Sequence, residues 1–220
     1  MSEAQGGAGD DDQAETAGGG TARFFIYLIA GWSGFYVMLV ELLGGRLIAP
    51  YFGSSIYVWG AVIFIFMVGL AIGYLAGGIA STKSPSIAKL SAIMLAAAVT
   101  TTPIIFASDA LLNGIYDAGL DPRAASLAAC AALYLVPTIF CGMISPYAIR
   151  LLVRTRRQSG NDAGYLYFVS TLGSSAGTLL TAFYLVLWLE VNTILVSAIG
   201  TSLLLGLVGI ATFRRRGSAA

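Results

Sequence analysis

Histidine is absent from the 220 residues, and charge is scarce, with Asp, Glu, Lys and Arg together making up 10%. The first absence removes the commonest metal ligand and the commonest general acid–base group. The second removes the surface of a soluble domain, which carries about 25% charged residues. Cysteine is nearly missing too. Cys130 and Cys141 stand 11 residues apart in one apolar run. On a helix that is roughly 16 Å of rise, while bridged Cα atoms lie within about 7 Å, so both read as buried free thiols. The formal net charge of +1 says little about partners, because the charges are segregated along the chain. No metal-ligand spacing, cofactor motif or nucleic-acid-binding pattern is found, and no ordered nucleophile–base pair suggests an enzyme.

What is present is apolar, 57% of the chain. From Arg23 onward, runs of about 20 apolar residues recur, each long enough for a helix to cross roughly 30 Å of hydrocarbon. They predict six spans: Phe24–Leu43, Ile56–Ala80, Ile87–Ala107 with a kink at Pro103, Ala124–Ser145 around Pro137, Gly164–Leu189 and Thr193–Phe213. The expected fold is all-α, a six-helix polytopic membrane domain over residues 23–216 embedded in a lipid bilayer. Residues 1–22 are Gly/Ala-rich and acidic. They cannot bury enough apolar surface to order themselves, and they lack the basic start and apolar core of a secretory signal. They are expected to form a disordered cytoplasmic tail, with 217–220 a short tail at the other end.

Orientation follows from the basic residues. With the N-terminus inside, 10 of the 12 Lys/Arg lie on the cytoplasmic side, among them Arg23, Lys83, Lys89, Arg150–Arg157 and Arg214–Arg216; Arg46 and Arg123 fall outside. The positive-inside rule selects that topology. It implies a multi-pass membrane protein with both termini cytoplasmic. Asp109, Asp117, Asp121 and Glu190 then face the other compartment.

Small residues mark two helix faces: Gly69, Gly73 and Gly77 in the second span, Gly173 and Gly177 in the fifth. Such spacing lets helix backbones approach closely in lipid. Each of these spans is the second of three. The first and fourth also end alike, in Ala49-Pro50-Tyr51 and Ser145-Pro146-Tyr147. Three helices plus three give halves of opposite topology, an inverted repeat of the kind found in transporters.

The stretch VELLGGRLIAPYF places Glu41 and Arg46 at the end of the first span. Counting from Phe24 puts Glu41 about 26 Å along the helix. A spacing of five residues turns the two side chains about 140° apart, a poor geometry for an ion pair. Gly44-Gly45 predicts a break that re-aims Arg46, and Leu47–Phe52 is expected to fold back over the bundle, bent at Pro50. Tyr36, Tyr51, Tyr57 and Trp59 gather around this segment in sequence. Aromatic faces beside a carboxylate suit an organic cation; the competing role for such rings is that of interfacial anchor. The candidate substrate-binding set is therefore Glu41, Arg46, Tyr36, Tyr51, Tyr57 and Trp59.

The order of these features resembles the membrane domain of the bacterial spermidine synthase-like membrane proteins, the fused major facilitator/spermidine synthase family. The resemblance rests on Glu41 and Arg46, on Gly53-Ser54-Ser55 with Tyr57 and Trp59, and on the run Gly69–Gly78. It continues through Pro137-Thr138, Gly142 and Pro146 and the run Gly164–Leu180. It implies the bacterial cytoplasmic membrane and half of a major facilitator layout, with two copies assembling as a homo-oligomer. In the fused members a soluble aminopropyltransferase domain follows the helices. Here GSAA follows Arg216, so no aminopropyltransferase activity is expected. The expectation is a transporter-like protein for a small cationic metabolite of polyamine type. Its alternative is a scaffold or anchor for a separately encoded aminopropyltransferase-like enzyme, docked on Arg150–Arg157.

Overall fold

A computed structural model describes residues 8–153 and 159–214, with side chains from Gly19 to Phe213. Arg154, Arg156, Arg157, Arg215, Arg216 and the tail 217–220 lie outside the described residues. Helix α1 spans Ala8–Phe52, α2 Ile56–Ala80, α3 Ile87–Thr101, α4 Pro103–Asp117, α5 Pro122–Leu152 and α6 Ser159–Leu180. A π-helical turn, Thr181–Leu185, joins α6 to the short α7, Val186–Trp188, and α8 covers Val191–Arg214. Among the described residues, six helical stretches are long and apolar enough to cross a membrane: Gly19–Phe52, Ile56–Ala80, Ile87–Asp117, Pro122–Leu152, Ser159–Trp188 and Val191–Phe213. The protein is all-α and of the multi-pass membrane type.

Local chemistry sets the boundaries. The helical backbone is described from Ala8, earlier than Phe24 and inside the segment expected to be disordered. Ala, Gln and Glu favour helix there. At its other end α1 stops at Gly53, whose φ of 79° is the left-handed cap and whose N–H donates to the Ala49 carbonyl at 2.8 Å. Ser86 caps α3 by accepting from the Lys89 N–H at 3.3 Å, and the Lys89 ammonium closes the preceding turn on the Lys83 and Ser84 carbonyls. Pro103 divides the third span into α3 and α4, as its position predicts, because proline has no N–H for the helical ladder. That span continues beyond Ala107 to Asp117, since Ile104, Ser108 and Leu112 extend its buried face. Asp121 caps α5 by accepting from the Arg123 N–H at 2.9 Å.

The glycine faces define the bundle. A Cβ on Gly73 or Gly77 of α2 would strike the carbonyls of Ile139 and Met143 on α5, and one on Gly69 would lie 2.9 Å from Thr138 Cβ. A Cβ on Gly173 or Gly177 of α6 would strike the carbonyls of Gly31 and Phe35 on α1. In both cases glycines four apart sit on carbonyls four apart. The second span of each half thus packs on the first span of the other half. The third spans pack on each other, α3 against α8, where Gly206 and Gly209 face Leu95 and Ser91. Exchanging the first three spans for the last three reproduces these three pairings, as a three-plus-three repeat would. At the centre α1 meets α5, with Tyr36, Tyr134 and Tyr147 fully buried.

Candidate functional site

Helix α1 runs unbroken through Gly44-Gly45 to Phe52, which corrects the expected break and fold-back. The two glycines are places of close approach. A Cβ on Gly44 would lie 3.0 Å from the Tyr134 ring of α5, and one on Gly45 2.8 Å from the Trp59 ring of α2. Rings from other helices thus occupy the room that missing side chains leave. Pro50 falls in the last turn of α1, where its missing N–H removes one bond of the ladder without ending the helix before Phe52.

On a continuous helix Glu41 and Arg46 point to different sides, and neither side chain has a hydrogen-bond or ion-pair partner among the described residues. Glu41 is half-buried. It lies on the stripe of α1 that contains Gly34 and Gly45, seven and four residues away. Gly34 backs onto Ser170 and Ser174 of α6, and Gly45 onto Trp59 of α2, so Glu41 sits between the lines along which those two helices cross α1.

Arg46 is exposed and lines a cavity of about 350 Å³ with Leu42, Gly45 and Ala49 of α1, Ser54 and Trp59, and Thr181, Ala182 and Val186 of the π turn and α7. Within α6 the hydroxyls of Ser174, Ser175 and Thr178 donate to the carbonyl four residues earlier at 3.0–3.1 Å. Thr181, where the ladder shifts to the wider π register, does not. Its side chain is fully buried and its Oγ1 has no partner among the described residues. π turns of this kind recur at functional positions. Neither the turn nor Thr181 was expected from the sequence, because a one-residue change of ladder leaves no mark in an apolar run.

The remaining expected site residues disperse. Tyr36 is buried against Thr101, Thr138 and Cys141 around a void of about 10 Å³. The Tyr51 hydroxyl donates to Asp109 Oδ1 at 3.1 Å. Tyr57 is engaged by Arg123, whose guanidinium lies 4.5 Å from the ring centroid and donates to the hydroxyl at 3.2 Å. The face that an organic cation would use is therefore already covered by an arginine. Arg46 and Trp59 of the set share this cavity, with Glu41 on the neighbouring stripe of the same helix. At the opposite end of the first span, Arg23 forms an ion pair with the buried Asp162 of α6 at 2.6 Å, beside Tyr27, Asn161 and Tyr165. Asp162 escaped the sequence reading; its one legible signal was a lone acid opening an apolar run.

Among the described residues no group of three or more His, Cys, Asp or Glu side chains could hold a metal ion. No protein-family model, curated protein or solved structure matches the chain. The function is accordingly argued from Glu41, Arg46 and their surroundings.

Proposed function

We propose that this is a transporter-like integral membrane protein that binds a small cationic metabolite at Glu41, with polyamine-type amines as the first class to test. One observation carries the reading: the Glu41 carboxylate is half-buried within a membrane-length helix and has no partner among the described residues. An ionised acid at bilayer depth costs up to about 2.5–3.5 kcal/mol, and Arg46 is turned too far round the helix to neutralise it. An ammonium group on a ligand supplies the missing counter-charge. The exchanged packing of the two three-helix halves supports a carrier, since substrate sites of such proteins lie where the halves meet, and Glu41 sits between α2 of one half and α6 of the other.

The proposed setting is the bacterial cytoplasmic membrane, on the family resemblance, with both termini cytoplasmic, on the distribution of basic residues. Pairing of two copies belongs to the same proposal. The fifth span has the lowest mean hydropathy of the six, 1.3, and is also the least buried within the chain, whereas a lipid-facing helix should be among the most apolar. The scaffold alternative rests mainly on Arg154, Arg156 and Arg157, outside the described residues, and no observation favours it. Uptake of labelled spermidine and putrescine into proteoliposomes tests the carrier reading. Saturable uptake that Glu41→Gln abolishes supports it; wild-type protein without uptake above empty liposomes, under any imposed gradient, refutes it.

A further inference from the structure

The cavity beside the π turn has the opposite chemistry from Glu41. Its charged lining residue is Arg46, its other polar side chains are Ser54, Trp59 and Thr181, and none of its lining residues is acidic. Arg46 has no side-chain partner among the described residues, and Thr181 Oγ1 is completely buried yet unbonded. A buried hydroxyl normally finds a bond, and the neighbouring hydroxyls of α6 find theirs on the helix itself. An idle hydroxyl and an idle guanidinium on the walls of one cavity are donors without an acceptor.

We propose that this cavity binds an anionic oxygen group, a phosphate or carboxylate, with Arg46 as its charge partner and Thr181 and Ser54 as hydroxyl donors. The planar guanidinium presents paired N–H groups that match such oxyanions. Trp59 forms the apolar wall; Gly45 permits this, because any larger residue there would push the ring away. A cavity of about 350 Å³ holds a headgroup or a small metabolite. The group therefore belongs either to an anionic phospholipid at the end of α1 or to a free small anion. The inference is independent of the cation proposal, since Glu41 does not line this cavity.

The test uses the full chain in two arms. In the first, native mass spectrometry follows release from nanodiscs of phosphatidylglycerol or of phosphatidylcholine. In the second, melting in neutral detergent is followed with inorganic phosphate and with glutarate against sodium chloride at equal ionic strength. A retained phosphatidylglycerol adduct without a phosphatidylcholine adduct identifies the lipid source, and a specific melting shift with either small anion identifies a soluble one. Either result, reduced about tenfold or more in affinity by Arg46→Gln and severalfold by Thr181→Val, supports the site. Arg46→Lys, which keeps the charge and loses the fork, should fall between. Should Thr181→Val not fold, Ser54→Ala replaces it. No anion preference in either arm, or a preference that survives Arg46→Gln in a folded protein, overturns the proposal.

Discussion

Replacing Gly73 by alanine tests the packing on which the exchanged halves depend. A methyl group at that position meets the Ile139 carbonyl and the backbone of Gly142, 2.8 Å away at its Cα. Backbone cannot swing aside as the end of a side chain can, so α2 and α5 must separate along their contact. Overpacking of this kind costs about 1–3 kcal/mol, offset by the roughly 1 kcal/mol by which alanine favours helix over glycine. The expected net loss is about 0–2 kcal/mol. Gly78, five residues on in the same helix, has nothing within 4 Å of its Cβ position, so Gly78→Ala should be neutral or stabilising by about 0.5–1 kcal/mol. Gly177→Ala, directed at the Phe35 backbone 2.5 Å away, should resemble Gly73→Ala. The double variant should be additive within about 0.5 kcal/mol, because the two contacts join different helix pairs. Unfolding in mixed micelles by increasing sodium dodecyl sulfate, followed by far-ultraviolet circular dichroism, measures all four. Equal effects of Gly73→Ala and Gly78→Ala would refute the close-packing argument.

Three further outcomes are expected. In intact cells an impermeant maleimide should label Asp117→Cys and not Lys83→Cys; the buried native Cys130 and Cys141 should give little background, and the reverse labelling would invert the topology. Arg23→Ala should cost about 1–3 kcal/mol by leaving the Asp162 carboxylate, 7% exposed, without its partner, whereas Asp162→Asn should cost less because a hydrogen-bond acceptor remains; denaturant curves compare the two. Mass photometry in nanodiscs should find two copies per disc across protein concentrations, and a monomer throughout would remove the proposed pairing.

Much of this architecture is legible in the residues, for a physical reason. The bilayer imposes a length and a composition on each span, so six apolar runs become six membrane-length helices, and Pro103 marks the division of the third. Glycines at four-residue spacing likewise betray the contacts of α2 and α6. Gly44-Gly45 shows where such reading ends. The same residue type serves as a hinge or as a seat for a ring, and the deciding rings, Tyr134 and Trp59, arrive from other helices. Gly53, with its positive φ, is the true end of the helix. The aromatic residues disperse for a related reason. Tyr51 and Tyr57 are near Glu41 in sequence, but their partners Asp109 and Arg123 lie 58 and 66 residues away. The Arg23–Asp162 pair spans 139 residues, and the π turn at Thr181 depends on backbone register that side-chain pattern does not encode.

The most direct test of the proposed function is equilibrium binding of labelled spermidine to the purified protein in nanodiscs, wild type against Glu41→Gln. The account predicts saturable binding to the wild type, reduced at least about tenfold by the substitution, with the melting temperature of the unliganded protein nearly unchanged. It also predicts ligand stabilisation of the wild type by about 2.7 kcal/mol at a hundred times the dissociation constant. Binding of equal strength in the Glu41→Gln protein would contradict the assignment of Glu41 as the counter-charge of the ligand.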